Sequence, residues 1–315
     1  MRTWTIRALA SACGALLAGA PAWAQGQPRA TRTEIVMLGT GTPIPDPDRD
    51  GQAIAIVVDS VAYLFDAGVG VVRRAAAAGR AGVAAFAGRI AGGQPNPRFE
   101  KIFVTHLHSD HTMGLADAIF TPWIQGKREP VDIYGPPGIA WLVSTILDGN
   151  AEDIQERVAS PGGPSRDGWK AVAHEVDPGE VYRDGRVTVR AFRVPHSEWP
   201  NAYGYRIDTP DRSIVISGDT RESPAVSAAC NGCDVLIHEA YSDSGFTTIP
   251  AARQPYHAAA HTPATAVGRV AANGRAKLLI LTHVLFFGAT EDTVLREARS
   301  TYAGRVVMAR DLGRY

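Results

Sequence analysis

Apolar positions along the chain fall mostly in short runs, each closed by Gly, Pro, Asp or His, which is the pattern of buried strands rather than of long amphipathic helices. Residues 34–38 read as a strand that ends in the tight loop Gly39-Thr40-Gly41-Thr42-Pro43. Residues 53–58 and 61–65 read as a hairpin split by Asp59-Ser60. Further strands are expected over 101–105, 131–134, 187–194, 203–207, 213–217, 234–237, 277–281 and 305–308. Helical spacing marks 69–78, 115–120, 139–147, 263–272 and 291–302. Residues 44–51, rich in Pro, Gly and Asp, form a surface loop, and 79–98 read as loop. Residues 148–170 are charged around Pro161-Gly162-Gly163-Pro164 and read as an exposed excursion.

Strands dominate the first part and then alternate with helices, so the class is α/β. No linker divides residues 33–315, which are read as one domain. The N-terminal segment stands apart. Arg2 and Arg7 precede a small-residue apolar run over 8–20, and Ala22-Trp23-Ala24 follows as a small-x-small cleavage site. Residues 1–24 are therefore expected to be a signal peptide and 25–32 a polar tether, with the product periplasmic or secreted. No later run is long enough for a membrane span.

Charge narrows the function classes. Lys plus Arg equals Asp plus Glu at 32 each, so there is no global basic field. Cys230 and Cys233 are the cysteines left after cleavage. In an oxidising compartment they form a local disulfide or remain plain thiols, and no thioredoxin-like context supports a redox role.

The chemistry sits in the histidines. Three of the nine fall in His106-Leu107-His108-Ser109-Asp110-His111. With a strand ending just before them, His106 and His108 are two apart and point to one side, so they can bind one metal. Asp110 and His111, past the turn, can reach a second. Imidazole with carboxylate suits Zn²⁺, with Fe or Mn as alternatives. Each metal needs further ligands, and the candidates end later strands: His196 for the first site, Asp219 as a bridge, His283 for the second.

At these residues the chain resembles the metallo-β-lactamase-fold superfamily, over nearly all of 33–315. The motif order matches: Gly39-Thr40-Gly41-Thr42, Phe65-Asp66-Ala67-Gly68, the HxHxDH run, His196, Gly218-Asp219-Thr220 and His283. Within it the chain is most similar to the ribonuclease Z and arylsulfatase-like branch, by His238-Glu239-Ala240 and by His261-Thr262, 22 residues before His283. The resemblance implies an αββα four-layer sandwich with a two-zinc site at one edge. It places seven ligands on His106, His108, Asp110, His111, His196, Asp219 and His283. It also gives His261 a role at the scissile oxygen. Glu239 would orient His261, and Asp110 would serve both metal and catalysis. Asp66 is expected to be structural, bonding the HxHxDH loop.

Two metals sharing a water lower its pKa toward 7, and hydroxide then attacks an electrophilic centre while His261 protonates the departing oxygen. Ribonuclease Z enzymes carry a long Gly/Pro-rich arm that grips transfer RNA. Residues 148–170 are short and hold acids as well as bases. Together with the leader, this directs the expectation to a secreted hydrolase of a small anionic ester, sulfate or phosphate, without nucleic acid or membrane as partner; a homodimer is compatible. The alternatives are a lactonase, thioesterase or β-lactamase of the fold, or a ribonuclease Z-type endonuclease. Trp199, Trp123 and Phe286 are candidates for an aromatic substrate pocket, with core packing as the default. His238 is expected to satisfy a core partner and His174 to be solvated. His257 fits a pocket or a loop equally.

Overall fold

Thirteen strands pair into two sheets in this computed structural model, which describes Met1, residues 33–88, Gly93 and residues 95–315. The expected leader and tether lie outside the described residues, Met1 excepted. Contacts group Thr31–Tyr315 into one unit.

The first sheet runs in chain order: β1 (Thr33–Gly39), β2 (Ala53–Val58), β3 (Val61–Phe65), β4 (Lys101–Phe103), β5 (Val131–Gly135) and β6 (Ala171–Glu175). Its first pairings are antiparallel, and from β3 onward they are parallel. The second sheet holds β7 (Gly179–Arg183), β8 (Thr188–His196), β9 (Trp199–Asp208), β10 (Ser213–Ile216), β11 (Val235–Tyr241), β12 (Leu278–Leu285) and β13 (Arg305–Met308), in the order β13-β12-β11-β10-β9-β8-β7. The expected 53–58/61–65 hairpin falls on β2 and β3.

Alternation along the strands sorts side chains into layers. Ile35, Ile54, Phe103, Tyr205, Ile214 and Ile237 fill the space between the sheets. The opposite face of the first sheet packs on the helices Val71–Arg80, Leu115–Ile124 and Ile139–Gly149. That of the second packs on Pro224–Cys230, Ala264–Gly274 and Glu291–Arg299. The result is helix, sheet, sheet, helix, the α/β sandwich expected.

Three local expectations are corrected. Strand β4 stops at Phe103, so His106 and His108 lie beyond it on an irregular segment, not at a strand end. The excursion 148–170 contains a helix, Ala151–Ala159, with the ion pair Asp153–Arg157 on its surface. Strands β6 and β7 were not anticipated, because their exposed, charged sequences hide the apolar alternation. Cys230 and Cys233 are joined as a disulfide in the turn that leads to β11.

Candidate metal centre

The ends of β3, β8, β10 and β11, with the segment after β4 and the C-terminal part of β12, meet at one rim of the sandwich. Backbone geometry there is special. Asp66 and His283 adopt left-handed φ of 58° and 47°. Gly218, at φ 60°, lies so close to Tyr203 O that a Cβ would stand 2.5 Å from it. Only glycine fits this turn, which delivers Asp219.

One set of donors is His106, His108 and His196. His108 Nδ1 lies 3.0 Å from His106 Nε2 and 3.1 Å from His196 Nε2. A second set is Asp110, His111 and His283. His283 Nε2 is 3.0 Å from Asp110 Oδ2, and His111 Nε2 is 3.4 Å from the same oxygen. Asp219 lies between the sets, its Oδ2 3.5 Å from His111 Nε2 and 3.7 Å from His283 Nε2, and it also groups with His106.

Most of the other ring nitrogens are tied down, His283 Nδ1 being buried without a hydrogen-bond partner among the described residues. His196 Nδ1 donates to Ala260 O at 2.7 Å, which leaves Nε2 as the free lone pair. His111 Nδ1 donates to Asp66 Oδ2 at 2.8 Å. Thr105 donates its N–H and hydroxyl to Asp66, so its oxygen accepts from His106 Nδ1. Asp66 thus orients two imidazoles, the structural part expected of it. The Trp199 indole N–H points at His108 Nε2, 2.5 Å away.

Electrostatics separate the groups. Burial, with His111 adding to it, holds His106 well below the ordinary histidine range. Burial and His196 bring His108 down to about 4. His111 goes the other way: burial opposes the charge, but Asp219 and Asp66 hold it well above the usual value. Burial also resists charge on Asp219, yet His283 and His111 keep it well below the usual carboxylate range. Glu239 is raised by burial and by Asp219.

His111 Nε2 is buried with no hydrogen-bond partner, although two carboxylates converge around it. A buried orphan nitrogen facing acids, beside His106 and His196 whose far nitrogens are already bonded, is the donor chemistry of a divalent metal site.

His261 stands beside this cluster. Its Nδ1 is 3.2 Å from Glu239 Oε2 and 3.9 Å from Asp219 Oδ2. Glu239 is fixed by Thr262 N–H at 2.7 Å. Burial brings His261 down to about 4, with Asp219 opposing and His283 assisting. His238 is buried and donates from Nδ1 to Glu239 O, its Nε2 unpartnered. His174, expected to be solvated, instead bonds Asp132 at 2.8 Å and stacks on Tyr134. His257 lies on the helix Gln254–Ala260 with its ring against Phe287.

Two cavities flank the cluster. One, about 550 Å³, runs from Asp110 and Ser109 along the loop Pro43–Pro47 to the exposed Ile44, Val69 and Met113. The other, about 340 Å³, has His108 as one wall and Ser197, Glu198, Trp199, Pro200 and Tyr256 as the rest. Trp199 therefore lines a pocket beside the cluster rather than packing in the core, Trp123 is fully buried core, and Phe286 packs under Arg49 at a separate cavity of about 300 Å³. Tyr256 had no signal in the sequence beyond its neighbour His257.

Residues 62–284 match the family described as the beta-lactamase superfamily domain. Ribonuclease Z of Mycobacterium bovis (strain BCG / Pasteur 1173P2) is 32% identical over 293 residues, covering 89% of this chain and 97% of that protein. The chain belongs to the metallo-β-lactamase superfamily, in its ribonuclease Z branch. It is a metal-dependent hydrolase. Ribonuclease Z of Mycobacterium marinum is 31% identical, with the same coverage of 89% and 97%. Among solved structures, the short form of human tRNase Z superposes with a TM-score of 0.64 at 23% identity, over 90% of this chain and 98% of that one. The metallo-β-lactamase fold protein YhfI from Bacillus subtilis gives 0.63 at 20%, over 90% and 99%. Those two likenesses concern the fold.

The partner expectation is overturned here. Relatives matching nearly the whole chain are ribonucleases by name, against a small anionic ester with no nucleic acid. That expectation rested on the shortness and mixed charge of 148–170, and the absence of one gripping element says nothing about which ester the rim accepts.

Proposed function

We propose that this protein is a ribonuclease Z-type phosphodiesterase that cleaves RNA. The observation that carries the reading is the His261–Glu239 pair, set 3.2 Å apart at the edge of the two donor sets, in a chain related to ribonuclease Z along its length. His106, His108 and His196 would hold one metal and Asp110, His111 and His283 a second, with Asp219 shared. Zinc suits that mixture of imidazole and carboxylate. When bound, such metals supply Lewis-acid stabilisation of phosphoryl charge and a water of lowered pKa.

The remaining work belongs to the side chains. Despite burial, Asp110 is held ionised by the nearby His111 ring and by its bond to His283, so it accepts a hydrogen bond from the attacking water and orients it. His261 rests its Nδ1–H on Glu239, which leaves Nε2 to hold a proton at the departing ribose oxygen. The ring is neutral at rest, so it takes up the proton released as water attacks and passes it to the leaving group. Thr262 fixes Glu239, and Glu239 fixes the ring.

The test uses a 3′-extended precursor transfer RNA, transfer RNA being the class that the name of human tRNase Z points to, and an unstructured RNA oligonucleotide, each end-labelled. Cleavage by the zinc-loaded protein, lost on chelation, is expected for at least one of them. Intact RNA alongside hydrolysis of nitrocefin or a lactone would replace this reading with a carbonyl hydrolase.

A further inference from the structure

Residues 148–170 make a poor basic arm for RNA: of their three cations, Arg157 and Lys170 are paired to Asp153 and Asp167, which leaves Arg166. The structure does offer a built aromatic cavity beside the reaction centre. Its walls are Trp199, Tyr256, Pro200 and His108, with Glu198 and Ser197 at the tip of the β8–β9 hairpin.

Three observations say what fits there. The walls are fixed to the cluster and to one another. His196 bonds Ala260 O at 2.7 Å, and Ser197 N–H bonds Ala259 O at 2.9 Å, so the hairpin tip and the helix that carries Tyr256 move as one with a ligand candidate. The volume, about 340 Å³, is at the small end of ligand pockets, enough for one nucleoside and too small for a helix. No cation lines it, and its one charged wall is the exposed carboxylate of Glu198, which repels phosphate and accepts from an amino group. Tyr256 is 52% exposed, a large aromatic surface left bare at the mouth.

We infer that the Trp199–Tyr256 cavity is a subsite for one unpaired nucleobase next to the scissile phosphate. It rests on the phosphodiesterase reading and adds affinity for the base that enters the cavity. Stacking a base on an aromatic ring is worth about 5- to 150-fold in affinity. A base with an exocyclic amino group, such as cytosine, gains the Glu198 carboxylate as well.

The experiment titrates cytidine 5′-monophosphate and inorganic phosphate into the zinc-loaded protein by calorimetry. The nucleotide should bind at least ten-fold more tightly than phosphate. Tyr256→Ala should weaken the nucleotide about ten-fold and leave phosphate affinity as it was, and Tyr256→Phe should restore it, because the ring and not the hydroxyl stacks. In parallel, kcat/KM for cytidine 5′-(4-nitrophenyl) phosphate should exceed that for methyl 4-nitrophenyl phosphate, and the ratio should collapse in Tyr256→Ala. Equal affinity for nucleotide and phosphate, or an alanine variant that alters neither or both alike, would overturn the subsite. Failure to hydrolyse either ester or RNA would remove the phosphodiesterase reading, while the binding data would still decide the cavity.

Discussion

Asp66 Oδ2 accepts from His111 Nδ1 at 2.8 Å and from the Thr105 hydroxyl at 3.0 Å, and that hydroxyl in turn faces His106 Nδ1. One buried carboxylate thereby sets the orientation of an imidazole in each donor set. Partners of this kind are worth about 10–100-fold in metal affinity. Asp66→Asn presents an amide N–H to one of these donors, so metal affinity should fall by about that factor while the far-ultraviolet circular dichroism is retained. Chelator competition measures it, and unchanged affinity would show that Asp66 matters only to the loop.

Asp219 is the residue closest to belonging to both sets: its Oδ2 is within 3.7 Å of His111 Nε2 and His283 Nε2, and it also groups with His106 and with His196 of the first set. Metal analysis of the wild type should find about two equivalents. Asp219→Ala should hold one or fewer and lose most activity. Two tightly held equivalents in that variant would assign the shared position to another oxygen.

The parts of this centre that were legible in the sequence are those that are contiguous or follow an apolar run, although of the later three His196 alone ends its strand, Asp219 standing three residues past β10 and His283 within β12. His106 to His111 stand within six residues, and His196, Asp219 and His283 each close an apolar run. What was not legible is what links distant segments. Ala260 O serves His196 across 64 residues, and Thr105 serves Asp66 across 39. A backbone carbonyl has no sequence signature, and a threonine is too common to have one. Tyr256 was passed over because its helix, Gln254–Ala260, is short and Ala-rich without an amphipathic period. The substrate expectation fails for a related reason: it rests on residues 148–170 and the N-terminal leader, whereas a substrate is chosen by a few rim residues.

Lys127 gives a pH prediction remote from the centre. Its ammonium is buried and bonds only carbonyls, Glu129 O and Gly168 O at 3.3 Å among them, and burial pushes its pKa down to about 8. The unfolded chain holds this proton up to about pH 10.4. Between those values the unfolded state binds more protons, so stability rises with pH there, and the penalty is fully present below pH 8. Urea unfolding at pH 7 and pH 9.5 should show the wild type gaining on Lys127→Met at the higher pH. A pH-independent difference between the two would show that the lysine is no more easily deprotonated than in water.

Export is a separate proposal, motivated by Arg2 and Arg7 before the apolar run and by Ala22-Trp23-Ala24. The Cys230–Cys233 disulfide suits an oxidising compartment. Mass spectrometry of periplasmic or secreted protein should find Gln25 as the first residue. A cytosolic protein that retains Met1 would end this proposal and leave the nuclease reading as it stands.

His261 separates binding from chemistry. It groups with Glu239 and His283 and with His196 and Asp219, so its position alone would also suit a ligand. Its Nδ1 is occupied by Glu239, 3.2 Å away, which leaves Nε2 open, and this arrangement suits a proton carrier. If it carries the proton, His261→Ala should keep both metals and lose about 10²–10⁴-fold in rate. The loss should depend on the leaving group: small for a nitrophenoxide, which departs unprotonated, and large for a ribose alkoxide within RNA. Glu239→Gln should reproduce part of that leaving-group dependence without loss of metal, since it leaves the ring in place and replaces the carboxyl that Nδ1–H rests on. Metal content and rates on the two substrates would be measured for each variant. Loss of metal from His261→Ala would make the residue a ligand, and equal defects on both leaving groups would take the proton-transfer role away from it.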